Sequence, residues 1–154
     1  MAFPVCGQKN LRQGRLSEVG NSYFLTFATH DRRPFANLNF AFRILQESLH
    51  YLGKRGIITP TCLVVMPEHV HLVFRLDQLD LATVMQRLKT YTARGINQKR
   101  GEKGKVWSSQ YYEHLIRQEE SLEKIIEYCR YNPVRRNLVD APEDWPYWWC
   151  DQQL

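Results

Sequence analysis

Two apolar runs separated by one short turn constrain this chain most. Ile57 to Met66 is apolar and β-branched, Pro67 interrupts it, and His69 to Leu76 alternates apolar with polar positions. Such a pair predicts two antiparallel strands joined by a tight Met-Pro-Glu turn.

The remaining periodicities surround that pair. Tyr23 to Thr29 is aromatic and β-branched and reads as an earlier strand, ended by Asp31-Arg32-Arg33-Pro34. Phe40, Ile44, Leu45, Leu49 and Leu52 recur every three or four residues, which predicts a helix from Asn37 to about Lys54. Leu81, Val84, Met85, Leu88 and Tyr91 mark a second helix with a basic outer side. Lys99 to Lys105 reads as a flexible, positively charged loop, and Tyr111 to Ile116 as a further strand. Leu122, Ile125, Ile126 and Cys129 predict a third helix over Glu119–Tyr131, and Pro133 should end it at Asn132. This order implies an α+β fold, a ferredoxin-like antiparallel sheet covered by helices, with residues 1–154 as a single domain.

Composition narrows the class. With 44% hydrophobic and 12% aromatic residues the chain can build a core, which excludes general disorder. No apolar run is long enough to span a membrane, and the first ten residues lack a secretory pattern, so a cytoplasmic protein with no membrane partner is expected. Cys6, Cys62, Cys129 and Cys150 are scattered without a CxxC pair and read as reduced and structural. The net charge of +5, together with four Trp and eight Tyr, supplies phosphate-neutralising charge and stacking surface, the ingredients of nucleic-acid binding.

Chemistry concentrates at two places. In Glu68-His69-Val70-His71, strand alternation puts both histidines on one face, roughly 6.5 Å apart at Cα, where two imidazoles can converge on one divalent ion. A solvated strand face that happens to carry two histidines reads equally well. Tyr128 and Asn132 are four residues apart, beside the apolar stripe of the third helix. An Asn132 amide oxygen with two imidazoles would make a mixed N/O set suited to Mg²⁺ or Mn²⁺ as a Lewis acid, with Tyr128 one turn away as a nucleophile toward a phosphodiester. The plainer reading makes Tyr128 a half-buried aromatic and Asn132 a helix C-terminal residue.

These residues resemble the single-tyrosine HUH transposases, and within them the REP-associated branch, named for repetitive extragenic palindromes. The likeness rests on Met66-Pro67-Glu68-His69-Val70-His71, on the stretch from Trp107 to Arg117, on Tyr128-Cys129-Arg130-Tyr131-Asn132-Pro133-Val134 and on Trp145-Pro146. It implies a metal-dependent single-stranded DNA endonuclease and strand transferase acting at hairpins, in a prokaryotic cytoplasm and on the nucleoid when bound to DNA. It further implies that His69, His71 and Asn132 hold the divalent metal and that Tyr128 is the catalytic nucleophile that becomes linked to a 5′ phosphate. Other single-tyrosine transposases usually carry Gln where Asn132 stands. Relatives include homodimers and monomers, which leaves oligomeric state open.

His114, with Glu113 beside it, is a candidate accessory to catalysis, to DNA contact or to bonding within the sheet. The candidate DNA-binding cations are Arg12, Arg15, Arg32 and Arg33 around the first strand, Arg87, Lys89 and Arg94 on the second helix, Lys99, Arg100, Lys103 and Lys105 in the loop, and Arg135 and Arg136 beyond the third helix. Trp107, Trp145, Trp148 and Trp149 either stack bases or pack. Two other functions fit the same residues: a non-catalytic nucleic-acid-binding module, and a small zinc hydrolase in which Tyr128 is dispensable.

Overall fold

The computed structural model describes residues 17–151; Cys6, Arg12 and Arg15 lie outside the described residues. In chain order the elements are β1 (Ser22–Ala28), α1 (Leu38–Lys54), β2 (Ile58–Val65), β3 (His69–Leu76), α2 (Leu81–Arg100), β4 (Tyr112–Ile116), α3 (Leu122–Arg130), the single turn α4 (Asn132–Arg135) and β5 (Trp148–Cys150). The strands form one antiparallel sheet in the order β4-β1-β3-β2-β5. The first four strands and first two helices make the ferredoxin-like βαββαβ arrangement that the element order implied, and β5 is added outside β2.

Strand alternation gives the sheet two different faces. Tyr23, Leu25 and Phe27 of β1 and Val70, Leu72 and Phe74 of β3 pack against α1 and α2 in the larger core. Phe24, Cys62, Val64 and Val73 point the other way, into a smaller core closed by Ile125, Ile126 and Cys129 of α3. Asn37, Asp80 and Ser121 start α1, α2 and α3 by accepting a hydrogen bond from the backbone N–H three residues on. The Cys62 thiol is pushed well above its ordinary range, by its hydrogen bond with Cys129 and then by burial, which keeps it protonated and unreactive.

Two local expectations are corrected. Lys99 and Arg100 belong to the last turn of α2, not to a loop; Ile96 is buried there, and Gly101 closes the helix with φ 66°. Cations at a helix C-terminus complement its dipole, which makes that charge run a helix ending. Pro133 does not stop the third helix for good. It sits in the first turn of α4, where its missing N–H would have no partner anyway, so the chain kinks at Tyr131 and continues for one turn.

β5 was not foreseen, and it accounts for part of the tryptophan cluster. Trp148 and Trp149 pair with Val64 and Leu63 of β2. Trp145 Nε1 donates to the Val65 carbonyl at 3.1 Å, and Trp107 Nε1 to Thr92 Oγ1 at 3.0 Å. These four rings pack. Among the described residues, no helix is long and apolar enough to cross a membrane.

Candidate active site

β3 turns His69 and His71 onto the face that α3 covers, and both are 6% exposed. Their Nε2 atoms lie 3.2 Å apart. The other ring nitrogens explain this orientation. His69 Nδ1 is 2.9 Å from Glu68 Oε1, and His71 Nδ1 is 2.7 Å from Oγ1 of Thr26, its cross-strand partner on β1. A carboxylate only accepts, so the His69 proton resides on Nδ1 and the Nε2 lone pair faces inward; the Thr26 hydroxyl accepts from His71 in the matching tautomer.

Electrostatics keeps both rings neutral. Burial lowers the His69 pKa against the opposing pull of Glu68. The His71 pKa falls well below the ordinary value, first through burial and then through the proximity of His69, Arg135 and Arg136, which disfavour a second charge there. Neutral imidazoles are the ligating form.

Asn132 comes in from α4, 5% exposed, with its amide Nδ2 2.7 Å from His71 Nε2. A half-turn of the amide exchanges its nitrogen for its oxygen at that point. The residues fit a divalent ion on the chemistry of the donors. Two nitrogen ligands at about 2.1 Å from one ion lie roughly 3.0 to 3.4 Å apart, and the observed 3.2 Å falls in that interval. Among the described residues no three of His, Cys, Asp and Glu converge. An amide oxygen as third donor suits Mg²⁺ or Mn²⁺ better than zinc.

Tyr128 stands beside this group. Its ring meets Phe24 edge-on at 6.1 Å between centroids and lies 6.0 Å from the His71 ring. The Arg135 guanidinium covers the ring at 4.1 Å and donates to the Tyr128 carbonyl. Burial of Ile125, Ile126 and Cys129 sets the rotation of α3, so Tyr128 flanks the buried stripe and Tyr131, 40% exposed, does not.

Glu68 ties the site together. Besides His69 it holds Arg136 at 3.1 Å, the residue that caps α4, and Arg32 at 3.7 Å from the turn after β1. Asp31 and Arg32 traverse that turn with φ of 53° and 52°, the left-handed region that non-glycine residues seldom adopt. Arg32, Arg135 and Arg136 are therefore the cations at the site itself.

The other candidates are dispersed. Arg33 makes a two-pronged contact with Glu102, both bonds 3.1 Å, and lines a small cavity of about 180 Å³ with Arg100 and Lys105. Lys103 is exposed, Lys99 lies over Phe40 at 5.6 Å, and Lys89 donates to the Ser108 carbonyl at 2.6 Å. Arg87 and Arg94 are exposed on α2, behind the sheet from the histidines. His114 Nε2 is 2.7 Å from Glu120, while Glu113 pairs with Leu25, a residue of the opposite face. Sequence reasoning assigned no role to Thr26 or Glu68. Glu68 had one available signal, a carboxylate adjacent to a candidate ligand histidine; Thr26 needed the β1–β3 register.

Known proteins share this frame. The family described as transposase IS200 like matches residues 19–132. A Haemophilus influenzae protein described as a REP-associated tyrosine transposase is 28% identical over 144 residues, covering 83% of this chain and 78% of that one. The structure of a REP-associated tyrosine transposase bound to a REP hairpin superimposes with a TM-score of 0.74 at 23% identity, covering 92% of this chain and 82% of that chain. A crystal structure from Deinococcus radiodurans, described as a transposase, gives 0.52 at 19% identity over 86% and 98%. At those identities the two structures speak for the fold.

Proposed function

The chain belongs to the IS200-like transposase family and is a tyrosine transposase acting on DNA, and we propose that it cuts and rejoins single-stranded DNA beside hairpins, with Tyr128 as nucleophile. The observation that carries this reading is the convergence of His69 and His71 from β3 with Asn132 from α4, and with Tyr128 of α3 against the His71 ring. Residues 1–154 act in it as one domain.

The Tyr128 oxygen attacks the scissile phosphorus as the P–O3′ bond breaks. The phenolic proton is lost, the 3′ oxygen leaves as a hydroxyl, and the 5′ phosphate remains esterified to Tyr128. Because one phosphate ester replaces another, attack by a 3′ hydroxyl on that link reseals a strand without a nucleotide cofactor. His69, His71 and Asn132 would hold a divalent Mg²⁺ or Mn²⁺, which when bound supplies Lewis-acid polarisation of the phosphate. Glu68 and Thr26 fix the two rings, Arg135 holds the Tyr128 ring, and Arg32 and Arg136 lie where the strand's phosphates approach.

The test uses labelled single-stranded hairpin DNA from around the protein's own gene, incubated with wild type or Tyr128→Phe in Mn²⁺, Mg²⁺ or EDTA and resolved on denaturing gels. A metal-dependent, protease-sensitive adduct that the variant lacks is expected. Tight binding without cleavage would instead make the chain a binding module. Cleavage that survives loss of the hydroxyl would make activated water the nucleophile.

A further inference from the structure

On the face of the sheet away from the histidines, α1 and α2 press together at Gly95, where a Cβ would lie 2.0 Å from Ile44 Cδ1. Toward the C-terminal end of α1 a groove of about 530 Å³ opens between them. Leu52 and Leu88, nearly fully buried, form its floor, and Tyr51, Tyr91, Arg55 and Arg87 its rim. Tyr51 and Tyr91 are 61% and 59% exposed, among the most exposed large apolar side chains of the described residues.

The arrangement repeats on both walls. Tyr51 precedes Arg55 by four residues and Arg87 precedes Tyr91 by four, so each ring has a guanidinium one turn away on its own helix face. The groove's one lining carboxylate, Glu47, faces Arg43 at 4.0 Å. Arg94, a turn beyond Tyr91, adds further positive charge. An apolar slot edged by phenol rings and cations complements a flexible polyanion that carries flat apolar faces. Duplex DNA hides its base faces in the stack, whereas unpaired nucleotides offer both base faces and phosphates.

We propose that the groove between α1 and α2 binds unpaired nucleotides of single-stranded DNA, with bases stacked on Tyr51 and Tyr91 and phosphates on Arg55 and Arg87. The inference rests on the reading that single-stranded DNA is the substrate. It adds a second contact on the opposite face of the sheet, for nucleotides flanking those at Tyr128, and gives Arg87 a role that its distance from the histidine face denies it at the catalytic site.

The test is fluorescence anisotropy with labelled oligothymidine, which forms no hairpin, titrated in EDTA with the full-length protein. The double variant Tyr51→Ala/Tyr91→Ala should bind about tenfold or more weakly, the loss expected for one or two stacked bases. Its melting temperature should stay unchanged because the rings are exposed, and Tyr51→Phe/Tyr91→Phe should retain affinity. Arg55→Ala/Arg87→Ala should weaken binding and flatten its dependence on salt. Unaltered oligothymidine affinity in the alanine pair overturns the proposal, as does equal competition by a blunt hairpin without single-stranded flanks. A changed sedimentation coefficient with DNA affinity intact would make the groove a contact between copies of the chain and likewise overturn it. Tyr128→Phe should bind oligothymidine normally, so failure of the catalytic reading and failure of this one are separately visible.

Discussion

Replacing Thr26 by valine keeps the shape of a β-branched side chain and removes one hydroxyl. Thr26 is 5% exposed and its Oγ1 is 2.7 Å from His71 Nδ1, so valine leaves a buried ring nitrogen without a partner. That loss costs about 1 to 3 kcal/mol, and the new methyl returns up to about 0.8 kcal/mol of burial. A net destabilisation of roughly 0.2 to 3 kcal/mol lowers the melting temperature of a chain this size by about 2 to 4 °C for each kcal/mol. The same change releases the ring that the hydroxyl orients, and losing such an outer partner weakens metal binding about 10- to 100-fold. Calorimetric titration with Mn²⁺, alongside thermal unfolding in EDTA and in Mn²⁺, reads both effects, and Thr26→Ser should restore most of each. Mn²⁺ affinity that stays unchanged in the valine variant would refute the argument that Thr26 sets the His71 ring for ligation.

Ile126→Ala opens a cavity in the fully buried core beneath α3; it should cost about 2 to 5 kcal/mol in denaturant unfolding and reduce covalent adduct formation with it. Ser121→Ala removes the cap that accepts the Lys124 N–H and should cost about 0.5 to 2 kcal/mol, checked by the same unfolding curves. The folded pKa values of His69 and His71 lie below the ordinary histidine value, about 6.5, so as pH falls the unfolded chain takes up protons first. Stability in EDTA should therefore be level above about pH 7 and fall as the pH drops through about 6.5. A slope that is identical after His71→Asn would show that His71 is not its source.

What the sequence made legible was local. The helical spacing of Ile44, Leu45 and Leu49, the β2–β3 pair and the shared face of His69 and His71 follow from periods of two or about four within one element, whereas Tyr128 and Asn132 joined the two histidines through the family resemblance. What stayed hidden depends on pairing between distant elements. Thr26 matters only because the register sets it against His71, and Glu68 because Arg32 and Arg136 reach it from opposite ends of the chain. The outer side of α2 was visible in its arginines, but which face of the sheet α2 would cover was not. Lys99 and Arg100 looked like loop because charge runs often are, although both residues are good helix formers. β5 is too short for its alternation to register, and its tryptophans read as packing residues without a strand to place them.

That short strand has a colloidal consequence. β2 is buried from Thr61 through Val65, and its outer backbone is paired through β5 at Cys62, Leu63 and Val64. A chain shortened before Trp148 would present those N–H and C=O groups, set in a strongly apolar strand, as an open template for another molecule. Such a truncation should self-associate edge to edge and precipitate, with His69, His71, Tyr128 and Asn132 all still encoded.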